Sequence, residues 1–287
     1  MKGDRVLARQ RQQRILREVN RIGGVRVSGL VNTLGVSDMT VRRDIEVLAA
    51  DGLVLKVHGG AAAIAGHSAD EPGFGVKSEL NPAAKSAIAR VAAGLISPGS
   101  SIAISAGSTT YAVAQELLSV PDLTVVTNSP RVADLLHNAQ RKDLTVVLTG
   151  GVRTPSDALA GPVADATLSS LHVDTLILGV HGIDQVAGLT TPNLIEAETN
   201  RALIATARRV IVVADNSKWG VVGLSTFATL DQVDVLVTDT GLAAEARRIV
   251  SEQVGELITA GPLDTKPLDD ELPDHPADNK LRKAQNS

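Results

Sequence analysis

Two sets of residues in this chain have types and spacings that suit chemistry. The first is a series of short polar runs, each directly after a β-branched stretch. They are Ser105-Ala106-Gly107-Ser108-Thr109-Thr110, Thr127-Asn128-Ser129, Thr149-Gly150-Gly151, Gly179-Val180-His181-Gly182-Ile183-Asp184 and Asp215-Asn216-Ser217-Lys218. One such run means little, because these are ordinary turn residues; five at equivalent places describe a site. Gly107 to Thr110 offers backbone N–H groups and hydroxyls at a helix start, where the helix dipole favours an anion. Asn128, Ser129 and the amides of Gly150 and Gly151 add neutral donors, Lys218 adds a full charge, and Asp184 can accept from sugar hydroxyls. Ser105, Gly107, Ser108, Thr109, Thr110, Asn128, Ser129, Gly150, Gly151, Asp184 and Lys218 are therefore the candidate effector-binding residues. A phosphate with a polyhydroxylated tail suits them better than an apolar molecule. The competing reading makes Lys218 a surface cation and Asp184 the cap of a turn.

The second set lies near the N-terminus. Residues 1–62 hold 11 Lys/Arg against 6 Asp/Glu, a balance of +5, whereas the rest of the chain stands at −9. A basic segment on an acidic body suggests that only the segment meets a polyanion. Within it, the stretch from Asp38 to about Ala50 phases as a helix with Val41, Ile45 and Leu48 inward. Met39, Thr40 and Arg43 then fall on the opposite side, with Arg42 at its edge. Thr40, Arg42 and Arg43 would face base edges and phosphates in a major groove. Asp44, nearer the core stripe, could steer one of these arginines. The alternative is a solvated helix face.

Elements must position these groups. Arg9 to Ile22 reads as an amphipathic helix ended by Gly23-Gly24, with Ile15, Val19 and Ile22 inward and arginines on the other face. Ser28 is a candidate N-cap for a short second helix closed by Gly35, and Ser37 for the third. Helices joined by Leu34-Gly35-Val36-Ser37 have the size and turn chemistry of a helix-turn-helix. After Gly52, Leu53 to Gly60 reads as a β-ribbon, or wing, placing Lys56 and His58 against the sugar-phosphate backbone. The candidate DNA-binding residues are Ser37, Asp38, Met39, Thr40, Arg42, Arg43, Lys56 and His58.

From Asn81 onward, short β-branched runs alternate with helical patterns. Strands are expected at Ser101–Ser105, Leu123–Val126, Leu144–Leu148, Thr175–Leu178, Val210–Ala214 and Val233–Val237. This alternation indicates a parallel sheet covered on both faces, with ligands beyond the carboxyl ends of its strands. The fold class is thus an α/β sensor domain with a parallel-sheet core, preceded by a small winged helix-turn-helix domain. The boundaries fall at 1–62 for the DNA-binding domain, 63–76 for an Ala/Gly-rich linker, 77–261 for the effector domain and 262–287 for a polar, proline-rich tail expected to be disordered.

Composition closes off several function classes. The absence of cysteine excludes disulfides and thiolate metal sites. Two Phe, one Tyr and one Trp argue against single-strand binding by base stacking. The six histidines form no metal-binding spacing, so neither metal nor cofactor is expected. Apolar runs such as Val210–Ala214 are too short to cross a membrane, and the N-terminus lacks a secretory stretch, which makes a cytoplasmic location the expectation.

The run Gly35-Val36-Ser37-Asp38-Met39-Thr40-Val41-Arg42-Arg43-Asp44, followed by Leu48, Gly52 and Val57-His58-Gly59-Gly60-Ala61, resembles the signature of the DeoR family of bacterial regulators. In the body, Asp174 through Gly179, Gly182-Ile183-Asp184, Gly188-Leu189-Thr190-Thr191, Glu196-Ala197-Glu198 and Ala214-Asp215-Asn216-Ser217-Lys218 resemble that family's sensor domain. The resemblance covers about residues 5–260. It implies a regulator of transcription, commonly a repressor of sugar-metabolism genes, with a double-stranded DNA operator and a phosphorylated sugar as partners. It also implies a sensor similar to ribose-5-phosphate-type isomerases. A homo-oligomer, dimer or tetramer, would place one recognition helix per half-site. One departure stands out: the family's acidic residue before Ala/Gly-Gly-Thr-Thr is here Ser105, with Ser108 in place of the next Thr.

The alternative function is a working sugar-phosphate isomerase carrying a DNA reader. Ketose–aldose isomerisation needs a general base and a cation for the enediolate, and Asp184, Glu198 and Lys218 could supply them. Yet the position implied for the isomerases' catalytic glutamate falls close to Asn200. A non-catalytic sensor is the expectation.

Overall fold

A computed structural model describes residues 2–22, 24–50, 53–57, 59–63 and 73–261. The proposed wing residue His58, most of the linker and the tail after Gly261 lie outside the described residues.

The head is built from α1 (Lys2–Ile22), β1 (Gly24–Arg26), α2 (Val27–Leu34), α3 (Asp38–Ala50), β2 (Val54–Val57) and β3 (Gly60–Ala63). Ile15 and Val19 of α1, Val27 and Leu30 of α2, and Val41, Ile45 and Leu48 of α3 share one buried cluster with Val25, Val54 and Ala61. The 3.6-residue period read from α3 is therefore its core stripe. Gly35 ends α2 in the left-handed conformation at φ 66°. The Ser37 hydroxyl accepts the Thr40 N–H at 3.3 Å and so caps α3. α2 begins two residues earlier than an N-cap at Ser28 implies, at Val27, and Ser28 does not cap it. The reason is tertiary: the Val27 N–H donates to the Gly59 carbonyl at 2.9 Å, so the wing satisfies that donor. The three short strands pair antiparallel in the order β1-β3-β2. Only glycine serves at position 60, because a Cβ there would lie 1.9 Å from the Val25 carbonyl oxygen.

The body runs α4 (Phe74–Glu79), α5 (Pro82–Ala93), β4 (Ser101–Ile104), α6 (Ser108–Glu116), β5 (Leu123–Thr127), α7 (Pro130–Asn138) and β6 (Leu144–Leu148). It continues with β7 (Val152–Arg153), β8 (Leu159–Ala160), α8 (Pro162–Leu168), β9 (Val173–Gly179), β10 (Gly182–Asp184), β11 (Gly188–Thr191) and α9 (Leu194–Thr206). Last come β12 (Ala207–Val213), β13 (Ser225–Ala228), β14 (Val235–Asp239), α10 (Ala244–Gln253) and β15 (Glu256–Ala260). Seven strands form one parallel sheet in the order β15-β14-β12-β9-β4-β5-β6. The six expected strands are all present, and β15 adds a seventh at one edge.

Both faces of this sheet are buried, which is why its strands read as continuous apolar runs rather than alternating ones. Ile177 and Ile211 pack with α5, α6 and α7, whereas their neighbours Leu176, Leu178, Val210 and Val212 pack with α8, α9 and α10. The chain leaves β4 in two directions, towards β5 and β6 on one side and β9, β12 and β14 on the other. The strand order therefore reverses between β4 and β9, the crevice where open parallel sheets bind ligands. A small antiparallel sheet, β10-β11-β13, sits beside the main one. α4 starts inside the stretch read as linker. Its Ala/Gly-rich flank signals a hinge, but Lys85 from α5 holds the helix in place: its ammonium donates to the Leu80 carbonyl at 2.6 Å and to the Lys77 carbonyl.

Candidate functional site

On the head, α3 presents the residues proposed to meet DNA. Met39 is 80% exposed, Arg42 and Arg43 are exposed and Thr40 is half-buried, its hydroxyl 2.8 Å from that of Ser37. The exposed cations differ in their surroundings. Arg42 is bound to Asp38 one turn earlier, with Nε 2.5 Å from Oδ1. Lys56 on β2 reaches Glu46 of α3 at 2.6 Å. The Lys56 hydrogen bond holds the Glu46 carboxyl below its ordinary range, and Asp38 raises Arg42 further. Arg43 has no carboxylate partner among the described residues. Pairs this exposed to water are weak, so an incoming anion can displace Asp38 and Glu46 readily.

Asp44 does not steer a recognition arginine. It is buried, and its carboxylate accepts from Nε and Nη2 of Arg11 and, at 3.2 Å, from Gln12. The pair fastens α3 to α1 and so fixes the angle between the two helices.

In the body, a cavity opens at the β4/β9 switch point. Its walls are Ala106, Gly107, Ser108 and Thr109 after β4, Gly179, Val180 and His181 after β9, and Lys218 after β12, together with Asn128. Residues outside the set of effector candidates complete it: Phe74 and Lys77 from α4, Ser156 and Ala158, and three that the family resemblance touched on, Thr191 and, from α9, Glu196 and Asn200. Two lysines thus share the cavity's lining with the start of α6, where unbonded amides carry partial positive charge. Glu196, Asn200, Asn128 and Ser156 supply acceptors and neutral donors for hydroxyls.

Of the proposed effector residues, Gly107, Ser108, Thr109, Asn128 and Lys218 line the cavity, and Ser105, Thr110, Ser129, Gly150, Gly151 and Asp184 do not. The latter have visible work elsewhere. The Ser105 hydroxyl accepts the Gly179 N–H at 2.9 Å, a bond that ties β4 to β9 across the switch point. Thr110 donates to the Gly107 carbonyl at 3.1 Å, and Ser129 caps α7 by accepting the Val132 N–H at 3.3 Å. Gly151 sits at φ 119°, and a Cβ there would lie 2.8 Å from the Ala160 carbonyl oxygen. Asp184 accepts the N–H groups of Val186 and Ala187, both at 2.9 Å, which lowers its pKa and makes it the cap of the β10–β11 turn. Asn128 is buried as well as lining: it accepts from the Ala106 N–H at 2.8 Å and donates to the Leu159 carbonyl at 3.1 Å, bracing the loop after β4.

The wall supplied by α4 is held from both ends. The guanidinium of Arg131 lies 4.4 Å over the Phe74 ring, and Tyr111 meets that ring edge-on at 5.8 Å. Arg131 also pairs with Asp157, next to Ser156, whose hydroxyl donates to Glu196. At the other end, burial pushes the Lys85 ammonium down to about 8, against the attraction of Asp215. Asp215 in turn accepts from Asn81 at 3.0 Å and from the Ser217 N–H at 3.1 Å, and this organises the turn that carries Lys218.

Comparison with known proteins agrees with the geometry. Residues 11–66 match the model of the DeoR-like helix-turn-helix domain, and residues 80–240 that of the DeoR C terminal sensor domain. The putative aga operon transcriptional repressor of Escherichia coli O157:H7 is 32% identical over 88% of this chain and 94% of its own length. The HTH-type transcriptional regulator GlpR of Haloferax volcanii is 35% identical over 89% and 99%. The glycerol-3-phosphate regulon repressor of Escherichia coli K12 is 34% identical over 85% and 95%. A ribose 5-phosphate isomerase A from Neisseria gonorrhoeae aligns over 47% of this chain and 52% of its own at 17% identity, with a TM-score of 0.35, too low to bear on activity. Matched by both domain models and by full-length relatives, the chain belongs to the DeoR family of helix-turn-helix transcriptional regulators.

Proposed function

We propose that the chain represses genes of carbohydrate metabolism and releases its operator when a phosphorylated sugar occupies the cavity. The observation that carries this reading is the cavity's charge pattern. Lys77 and Lys218 line the cavity together with the start of α6 and with the hydroxyl-binding groups of Glu196, Asn200 and Ser156, a composition suited to a small phosphate ester. The relatives' names support it, one being the repressor of a glycerol-3-phosphate regulon. Gly107, Ser108, Thr109 and Lys218 are the expected ligand contacts, joined by Lys77, Glu196 and Asn200, with Asn128 bracing the loop that carries the first three. Ser37, Asp38, Met39, Thr40, Arg42, Arg43, Lys56 and His58 form the DNA surface. The protein works in the cytoplasm as a dimer or tetramer, matching paired half-sites about 10 bp apart or a multiple of that. It is not an enzyme: Asp184, a candidate base for isomerisation, is outside the cavity and bonded to its own turn.

A gel-shift competition on the protein's own upstream DNA tests this, with glycerol 3-phosphate, ribose 5-phosphate, fructose 1-phosphate and galactosamine 6-phosphate as competitors. Release by at least one ester, with a raised melting temperature, is the expected result. A ligand at 100 times its dissociation constant adds about 2.7 kcal/mol. If no ester releases DNA or raises the melting temperature, the sensor reading fails. Turnover of ribose 5-phosphate would establish the isomerase instead.

A further inference from the structure

Helix α1 carries a polar face that neither the recognition helix nor the cavity uses. Gln10, Gln13, Arg14 and Arg17 recur at i, i+3, i+4 and i+7, the spacing that places side chains on one side of a helix. Ile15 and Val19 turn the other way into the core, and all four polar residues are exposed. With Arg11 they line a groove whose far wall is Leu34 and Val36. Those two residues bracket Gly35 in the turn, and the chain passes from them directly to Ser37 and the start of α3. The groove thus lies beside the end of α3 that enters the major groove.

Apart from Arg11, which pairs with Asp44, its cations have no carboxylate partner among the described residues, and none of the described residues that line it is acidic. Arg17 donates to the Gln13 carbonyl of its own helix at 3.3 Å. Among the described residues neither Arg14 nor Arg17 has a carboxylate partner. On α3 and the wing, by contrast, Arg42 and Lys56 are each neutralised by a neighbour. A groove with two unneutralised guanidiniums and two side-chain amides, and no acceptor of like strength, complements a row of phosphates.

We propose that this face of α1 is a second contact with duplex DNA, in which Arg14 and Arg17 bind backbone phosphates beside the groove read by α3, with Gln10 and Gln13 donating to the same strand. The inference rests on the head's being a DNA reader and is independent of any ligand in the body. Contacts of this type add affinity and fix orientation without reading sequence. They also account for the surplus of positive charge in the first sixty residues, little of which lies on α3.

The test uses the full-length protein and a fluorescein-labelled duplex of random sequence, titrated between about 50 and 200 mM salt. For R14Q/R17Q the slope of log K against log salt should become shallower by about 2, since each neutralised phosphate contributes about 0.9. R14K/R17K should keep the wild-type slope. Gln13→Glu leaves both arginines in place but sets a carboxylate beside them, and should weaken binding several-fold by itself. An unchanged slope in R14Q/R17Q, or unchanged affinity in Gln13→Glu, overturns the proposal. So does a change in sedimentation with DNA affinity intact, which would make this face a contact between copies. Failure of the wild type to bind any duplex would remove the DNA reading itself, a result distinct from these.

Discussion

On α3, the side chains that helical phasing turns outward do project to solvent, and their chemistry is available to a partner. In the body, the polar groups at the strand ends are mostly spent on the protein itself. Ser105 staples two strands, Ser129 and Asp184 cap local structure, and Asn128 braces a loop. A surface reader can expose what it uses because water satisfies those groups until DNA arrives. A cavity at the centre of a sheet has no such freedom, since every buried donor and acceptor needs a partner before a ligand comes. Polar residues near a buried site therefore divide between builders and binders, and type and spacing do not separate the two.

Several substitutions test that division, beginning with the largest effect. Asp44→Ala leaves Arg11 without its buried acceptor, so the head should lose about 3 kcal/mol. Thermal unfolding of the full chain should then show an earlier transition for the head, with DNA binding lost and the body's transition in place. If DNA binding survives, the angle fixed by the Arg11–Asp44 tie does not matter to recognition. Arg43→Ala should cost about 1–3 kcal/mol on the operator, measured by fluorescence anisotropy, with the response to effector intact. An equal loss on random DNA would make Arg43 a phosphate contact rather than a base reader.

In the body, Asn128→Ala strands the Ala106 N–H and the Leu159 carbonyl, a cost of about 1–3 kcal/mol visible as a lower melting temperature. Lys218→Ala should weaken a phosphate ester about tenfold by calorimetry while leaving both melting temperature and operator affinity near wild type. Were Lys218→Ala to destabilise as Asn128→Ala does, Lys218 would join the builders.

The smallest effect concerns Lys85. Its pKa in the folded chain is depressed to about 8, below the unfolded value near 10.4. The unfolded chain thus holds more protons between those limits, and stability from this group rises with pH across them. Against Lys85→Met, the wild type should gain roughly 2–4 °C between about pH 7 and 10. No relative gain would show that the ammonium sheds little of its solvation in the fold.

Most of the architecture was legible because it rests on periodicity. The α3 stripe and six of the parallel strands follow from which residues must be dry. The cavity was half legible. Ser108, Thr109 and Lys218 were found because helix starts and strand ends have recognisable chemistry. Phe74 was missed because it falls in the stretch read as a linker, and Lys77 because it stands just past that boundary; the Lys85 anchor of α4 follows within the next turns of sequence, but a side chain bonding to backbone carbonyls leaves no periodic signal. His181 shares its run with Asp184, whose charge is the stronger chemical signal, and nothing in the run shows that the histidine is the one facing the cavity. Glu196 and Asn200 stand one turn apart on α9, a spacing that marks one helix face; the resemblance pointed to this stretch, but as an isomerase's catalytic position rather than as a wall of the effector cavity. Ser28 failed as a cap because a backbone carbonyl from the wing took its role.

α4 is both a wall of the cavity and the first described element after the wing. Between the end of β3 at Ala63 and the start of α4 at Phe74 there are eleven Cα steps, which span about 40 Å at full stretch. Whatever path the intervening residues take, that figure is an upper bound on how far Ala63 can stand from Phe74, and a molecule seated against Phe74 and Lys77 would touch the first described element that follows the wing.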